Sequence, residues 1–80
     1  MEIFYHKNFL SSLNDFPDSI KKKFKKQINY LVRDIRYPSL HAKKFDESLG
    51  LWQARVDKGV RFYFTIEGDT YVLTEIKYHK

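Results

Sequence analysis

The residues with types and spacing suited to chemistry are Arg55, Arg61, Tyr63, Glu75, Lys77 and His79. Each occupies the polar phase of a stretch in which apolar and polar residues alternate, so each projects from the same side of its stretch as its polar neighbours. Two or three cations around one point attract a phosphate and stabilise the extra negative charge that develops on it in a transition state. A histidine beside them exchanges protons near neutral pH. Together these are the parts needed to cleave RNA by attack of a ribose 2′-hydroxyl on the adjacent phosphate. The plainer alternative stays open, because a mixed-charge open sheet face is also what solubility demands. His79 has the further alternative of being a poorly ordered terminal residue.

Positioning these groups requires strands. From Ala42 onward the pattern predicts strands at Lys43–Asp46, Leu51–Asp57, Val60–Glu67 and 71–78. If Trp52, Ala54 and Val56 point to the core, Gln53, Arg55 and Asp57 point away. Val60, Phe62, Phe64 and Ile66 likewise leave Arg61, Tyr63 and Thr65 on the other face. Keeping both apolar sets on one side places Arg55 opposite Arg61 and Val56 opposite Val60. That implies a three-residue loop Asp57-Lys58-Gly59 whose glycine is left-handed. The same rule through Gly68-Asp69-Thr70 sets Ile66 opposite Val72, Phe62 opposite Ile76, Tyr63 opposite Glu75 and Arg61 opposite Lys77. Arg61 is thus expected on an open polar face, where truncation leaves no cavity.

Ahead of the strands, residues 2–6 alternate enough for a short strand. Phe9, Leu10, Leu13 and Phe16 recur at helical spacing as far as Pro17. Ile20, Phe24, Ile28, Leu31 and Ile35 then form a single apolar stripe, predicting a helix over 18–36 that Tyr37-Pro38 ends. The expected fold class is α+β, ordered β-α-α-β-β-β-β: an antiparallel four-stranded meander with two N-terminal helices packed on one face. Phe24, Leu31, Trp52, Phe62 and Phe64 are the expected core. Residues 1–80 read as a single domain, with no internal repeat or low-complexity linker.

Eighty residues allow one modest core, since a chain this short buries only about 60% of the surface its unfolded form exposes. Seven Phe, six Tyr and one Trp supply the apolar area. No cysteine is present, which removes disulfides, thiol catalysis and thiolate metal sites. The three histidines lack helical metal-ligand spacing and no glycine-rich phosphate loop occurs, so neither cofactor nor metal is expected. No stretch approaches a membrane span and the first residues lack a signal-peptide pattern, so a cytoplasmic protein without membrane contact is expected. The net charge of +5 favours an anionic partner, although a lysine surplus is also an ordinary solubilising surface. The lysine run at 21–23, 25 and 26 carries the same two readings: a solvated helix face, or contact with a nucleic-acid backbone, which the resemblance given below would make ribosomal RNA.

The order of elements, and the segments Leu51-Trp52-Gln53-Ala54-Arg55-Val56, Gly59-Val60-Arg61-Phe62-Tyr63-Phe64, Gly68-Asp69-Thr70 and Lys77-Tyr78-His79-Lys80, resemble the RelE/ParE superfamily of toxins. The likeness covers nearly the whole chain and is similar in particular to the YoeB branch. Pro38-Ser39-Leu40 and Lys43-Lys44 also look like RelE-type relatives. The resemblance implies a type II toxin-antitoxin toxin that inhibits translation as a metal-independent endoribonuclease, cutting mRNA in the A site of the 70S ribosome and held in check by a cognate antitoxin. It implies Arg61 as the phosphate-stabilising arginine and His79 as the proton-transfer histidine. Arg55 would be a second phosphate contact, and Lys43 and Lys44 a basic pair able to replace a carboxylate base.

The chain departs from that pattern at two points. The acidic base of YoeB-type enzymes corresponds to Ala42, leaving His41, Lys43 or Lys44 as substitutes. Lys80 replaces a final tyrosine, leaving Tyr63 or Tyr78 to stack on a base, with Lys77 nearby on the polar face. ParE-type members share the fold but bind DNA gyrase without RNase chemistry, which makes gyrase inhibition the alternative.

Overall fold

The structure, a computed structural model, describes residues 1–79. Strand β1 (Glu2–Tyr5) leads into helices α1 (Lys7–Asn14) and α2 (Asp18–Arg33), and a 3-10 turn (Pro38–Leu40) delivers the chain to β2 (Lys43–Asp46), β3 (Leu51–Asp57), β4 (Val60–Glu67) and β5 (Thr70–Tyr78). The expected order and the antiparallel meander of β2 to β5 are both present, with both helices against one face. The sheet is larger by one strand. Its order is β1-β5-β4-β3-β2, and β1 runs parallel to β5. Glu2 N–H donates to the Asp69 carbonyl at 2.9 Å and His6 N–H to that of Leu73 at 3.0 Å, clamping β1 at both ends. The alternation over residues 2–6 predicts a strand without specifying its partner.

Helix α2 forms because Phe24, Ile28 and Leu31 recur on one face and are all buried. It stops three residues earlier than its stripe suggests. Asp34 is extended (φ −164°, ψ 114°), and its Oδ1 accepts from the Arg36 N–H at 2.9 Å and from Arg36 Nε at 3.3 Å. An aspartate that bonds its own following backbone competes with the helix, so Ile35 packs on the core from beyond the helix end. The core is a run of rings. Phe9 and Phe24 are 5.4 Å apart between centroids, Phe24 and Phe62 5.5 Å, Phe62 and Phe64 5.8 Å, and Phe64 and Tyr71 5.4 Å. Trp52 is half-buried and stacks on Phe64 at its rim. Phe24, Leu31, Phe62 and Phe64 are buried as expected.

Both hairpins are one residue tighter than the pattern implies. In the first, Asp57 rather than Val56 faces Val60, so the turn is Lys58-Gly59 and the ladder slips between Arg55 and Asp57. Gly59 is not left-handed. Instead the Asp57 Oδ1 accepts the Gly59 N–H at 2.9 Å and fixes the turn from its side chain. In the second, Glu67 faces Thr70 across a two-residue turn where Gly68 is left-handed (φ 63°). The slip there falls at Thr74, whose Oγ1 donates to the Tyr63 carbonyl at 3.2 Å. Each bulge restores the residue that its tight turn removes, so Arg55–Arg61, Arg61–Lys77, Phe62–Ile76 and Tyr63–Glu75 stand opposite one another as expected. Beyond the Thr74 bulge the expectation fails: Ile66 faces Tyr71 rather than Val72 and is 40% exposed rather than core.

Candidate functional site

Arg55, Arg61 and His79 meet because their strands are in register. Arg55 and Arg61 are direct partners across β3 and β4. Tyr78 closes the β4–β5 ladder opposite Val60, and His79 N–H then donates to the Gly59 carbonyl at 2.8 Å, which anchors the histidine backbone over the first hairpin. On the other side, β2 pairs with β3 so that Lys43 faces Gln53. The result is a cleft of about 360 Å³ lined by these four residues together with His41, Ala42 and Gln53.

The far wall begins with His41, a left-handed residue (φ 45°, ψ 41°) that caps the 3-10 turn. Positive φ is uncommon outside glycine, and here it swings the chain from the turn into β2. Behind this wall lies Gln27 of α2, 6% exposed. Its Nε2 donates to the carbonyls of Ser39 (3.0 Å) and Arg55 (2.8 Å), and its Oε1 accepts from the Ser39 hydroxyl at 2.9 Å. One buried amide thus ties the helix, the 3-10 turn and β3 together at the back of the site. Sequence reasoning passed over Gln27, although a polar residue within the apolar spacing 24, 27, 28, 31 is the signal that would have found it.

The charge balance favours an anion. Lys43, Arg55 and Arg61 line the cleft and no carboxylate does. The nearby acids are engaged elsewhere: Asp57 pairs with Lys23 at 3.3 Å and Glu75 with Lys77 at 3.4 Å. Burial, followed by the repulsion of Arg55, holds the Arg61 guanidinium below its ordinary value. An anion placed between the two arginines relieves that repulsion.

Arg61 departs from the expected open face. It is 7% exposed, and its Nη1 donates to the carbonyls of Asp57 (2.7 Å) and Lys58 (3.0 Å). Those bonds fix the guanidinium at the cleft wall, while Nε and Nη2 have no protein partner among the described residues. Truncating Arg61 therefore leaves a void and strands two turn carbonyls, because the hairpin turn folds back on this side chain.

Of the nine residues expected to act in catalysis or substrate contact, five line the cleft: His41, Lys43, Arg55, Arg61 and His79. The other four do not. Lys44 faces Trp52, on the side opposite to Lys43. Tyr63 is 3% exposed, accepts a hydrogen bond from Gln53 Nε2 at 3.0 Å and meets the edge of Phe45 at 5.1 Å, so its ring offers no platform for a base. Lys77 lies over that ring at 5.1 Å. Tyr78 shares the helix side with Val60 and packs on Phe16 at 4.8 Å. Strand alternation alone separates Lys43 from Lys44 and Tyr78 from His79, whereas the burial of Tyr63 depends on Phe45 folding over it. Among the described residues no three His, Asp or Glu side chains gather as a metal site requires, and no helix is long and apolar enough to cross a membrane.

No protein-family model matches the chain, and no curated protein matches it either. Solved structures do. A YoeB/ParE toxin from Agrobacterium tumefaciens matches with a TM-score of 0.81 over 100% of both chains at 12% identity. A chain of the archaeal RelE-RelB complex from Pyrococcus horikoshii matches at 0.80, covering 96% of this chain and 92% of that one at 15% identity. A chain of the YoeB-YefM complex from Staphylococcus aureus matches at 0.68, covering 100% and 98% at 21% identity. The β-α-α unit leading into a four-strand meander thus has the fold of the RelE and YoeB/ParE toxins.

Proposed function

We propose that this protein is the toxin of a type II toxin-antitoxin pair and that it cleaves mRNA in the ribosomal A site. The observation that carries the reading is the convergence of Lys43, Arg55, Arg61 and His79 on one cleft free of carboxylates. The scissile phosphate lies between Arg55 and Arg61, whose guanidinium groups offset the charge that grows on its oxygens as the ribose 2′-oxygen attacks. A base removes the 2′-hydroxyl proton, and His79 gives a proton to the departing 5′-oxygen. The products are a 2′,3′-cyclic phosphate and a 5′-hydroxyl. Ala42 lines the wall and supplies no carboxylate, so the base in this reading is His41 or Lys43, which line the cleft, rather than Lys44, which faces the other side. The partner is an antitoxin with an acidic or amphipathic segment that covers the cationic cleft or the helices.

A second reading has its own observation: Arg61 Nη1 is bound to turn carbonyls and the cleft holds no carboxylate base, which suits a binding protein that inhibits DNA gyrase without cutting RNA. One experiment separates them. Purified protein is added to programmed ribosomes carrying mRNA, with a gyrase supercoiling assay alongside. A cut within the A site with normal supercoiling supports the nuclease. Blocked supercoiling with intact mRNA supports the inhibitor.

A further inference from the structure

The cleft holds cations and two imidazoles but no Phe, Tyr or Trp ring, and a nuclease acting on a single strand is helped by a broad ring on which a base can stack. The ring is next door. A groove of about 500 Å³ runs between α2 and the β3 edge, within the roughly 300–1,000 Å³ range of pockets that hold small organic ligands. It shares His41 and Arg55 with the cleft, so the two adjoin at the left-handed turn residue. Its floor contains the Gln27 amide and its wall a pair of tyrosines, Tyr30 and Tyr37, stacked at 3.8 Å between centroids with 7° between planes. Tyr37 is 38% exposed. Lys26 Nζ lies 5.9 Å from the Tyr30 centroid, adding positive charge beside the ring pair.

We propose that this groove is a nucleotide subsite: it receives the base next to the scissile phosphate on the Tyr37 ring, while Arg55 holds the phosphate that bridges groove and cleft. The subsite rests on the RNA-cleaving reading for its substrate class, and deepens it by naming where the strand continues. Three features make the groove suited to a nucleotide rather than to an apolar segment. Its ring is already aligned by a parallel partner, so no side chain must reorder to present it. Lys26, Arg55 and Lys58 flank it with positive charge for backbone phosphates. The buried Gln27 amide fixes the 3-10 turn that holds Tyr37 and His41 apart, which keeps the spacing between groove and cleft constant.

The probe is a single-stranded RNA trinucleotide with 2′-O-methyl riboses, which binds but does not react, together with the same trinucleotide lacking one base. Binding is followed by NMR of the tyrosine ring protons and by titration. Expected are upfield shifts at Tyr37 with the intact probe, their loss with the abasic probe, and a five- to hundredfold weaker affinity in Tyr37→Ala, roughly the loss of one base stack. Tyr37→Trp is expected to bind as the parent does, which separates stacking from a defect in the turn, and circular dichroism checks that each variant is folded. Unshifted Tyr37 signals in a bound complex, parental affinity in Tyr37→Ala, or no binding of the probe by the parent each overturns the subsite. Cleavage is measured separately. A parent that binds through Tyr37 but leaves mRNA uncut retains the subsite and removes the nuclease reading; a parent that cuts while Tyr37 stays silent does the reverse.

Discussion

Arg61 and Phe62 are neighbours in one strand and serve opposite sides of the sheet. Phe62 is fully buried against Phe24 and Phe64, where only shape and apolar area matter. Arg61 is nearly as buried, yet a charge in that position must be held by specific acceptors, and the turn carbonyls of Asp57 and Lys58 supply them. One side of the sheet is filled with rings at low chemical specificity. The other is a small polar cleft in which the Arg61 and Gln53 side chains are held by specific partners. Loss on the first side is expected to show up as instability, and on the proposed function loss on the second as lost cleavage.

The largest effect is expected at Phe62→Ala. Removing a fully buried ring costs about 3–5 kcal/mol, a large share of the roughly 5–15 kcal/mol that holds a domain together. Denaturant unfolding would show the midpoint collapse or the folded baseline vanish. Arg61→Ala comes next, with cleavage lowered by about two to three orders of magnitude, the loss typical of one preorganised transition-state donor. Its stability also falls, by about 1 kcal/mol, because part-buried carbonyls lose their donor. A variant fully as stable as the parent would contradict the turn contacts. His79→Gln is expected to slow cleavage roughly a hundredfold, since glutamine keeps a hydrogen bond but transfers no proton. Unfolding should be unchanged there, because the side chain is exposed and the backbone bond to Gly59 persists. The smallest effect sharpens the two-sided comparison within one dipeptide. Lys43→Ala should weaken cleavage a few fold, on the scale of roughly 0.2–1 kcal/mol for an exposed ionic contact, and Lys44→Ala should leave it alone. Equal effects from both would mean that β2 does not present its two faces as its pairing with β3 requires.

Much of this was legible from alternation. Period and turn signals placed the strands of the meander within a residue and put Arg55, Arg61 and His79 on one side, because a strand has only two faces and the apolar set claims one of them. What alternation does not encode is the bulge. Two tight turns and two slips cancel near the cleft, at Arg55–Arg61, Arg61–Lys77 and Tyr63–Glu75, and fail to cancel between each bulge and its turn, where Asp57 rather than Val56 faces Val60 and where Ile66 reaches solvent. Nor does it encode cover. Tyr63 and Arg61 read as open-face residues, but Phe45 and the turn carbonyls enclose them, and those contacts join parts of the chain that no local pattern links. Gln27 was in plain view as a polar residue in an apolar stripe, while its partners, Ser39 and the Arg55 carbonyl, appear only once the helix is laid on the sheet. The parallel pairing of β1 with β5 belongs to the same class of long-range choice.

The most direct test is the chemistry of the RNA ends. Parent and His79→Gln are incubated side by side with programmed ribosomes and end-labelled mRNA, and the new termini are identified by their sensitivity to phosphatase and kinase. Attack by the ribose 2′-hydroxyl in the Arg55–Arg61 cleft yields a 2′,3′-cyclic phosphate and a 5′-hydroxyl from the parent, with the same products formed about a hundredfold more slowly by the variant. Intact mRNA, 3′-hydroxyl ends, or equal rates from the two proteins would contradict it.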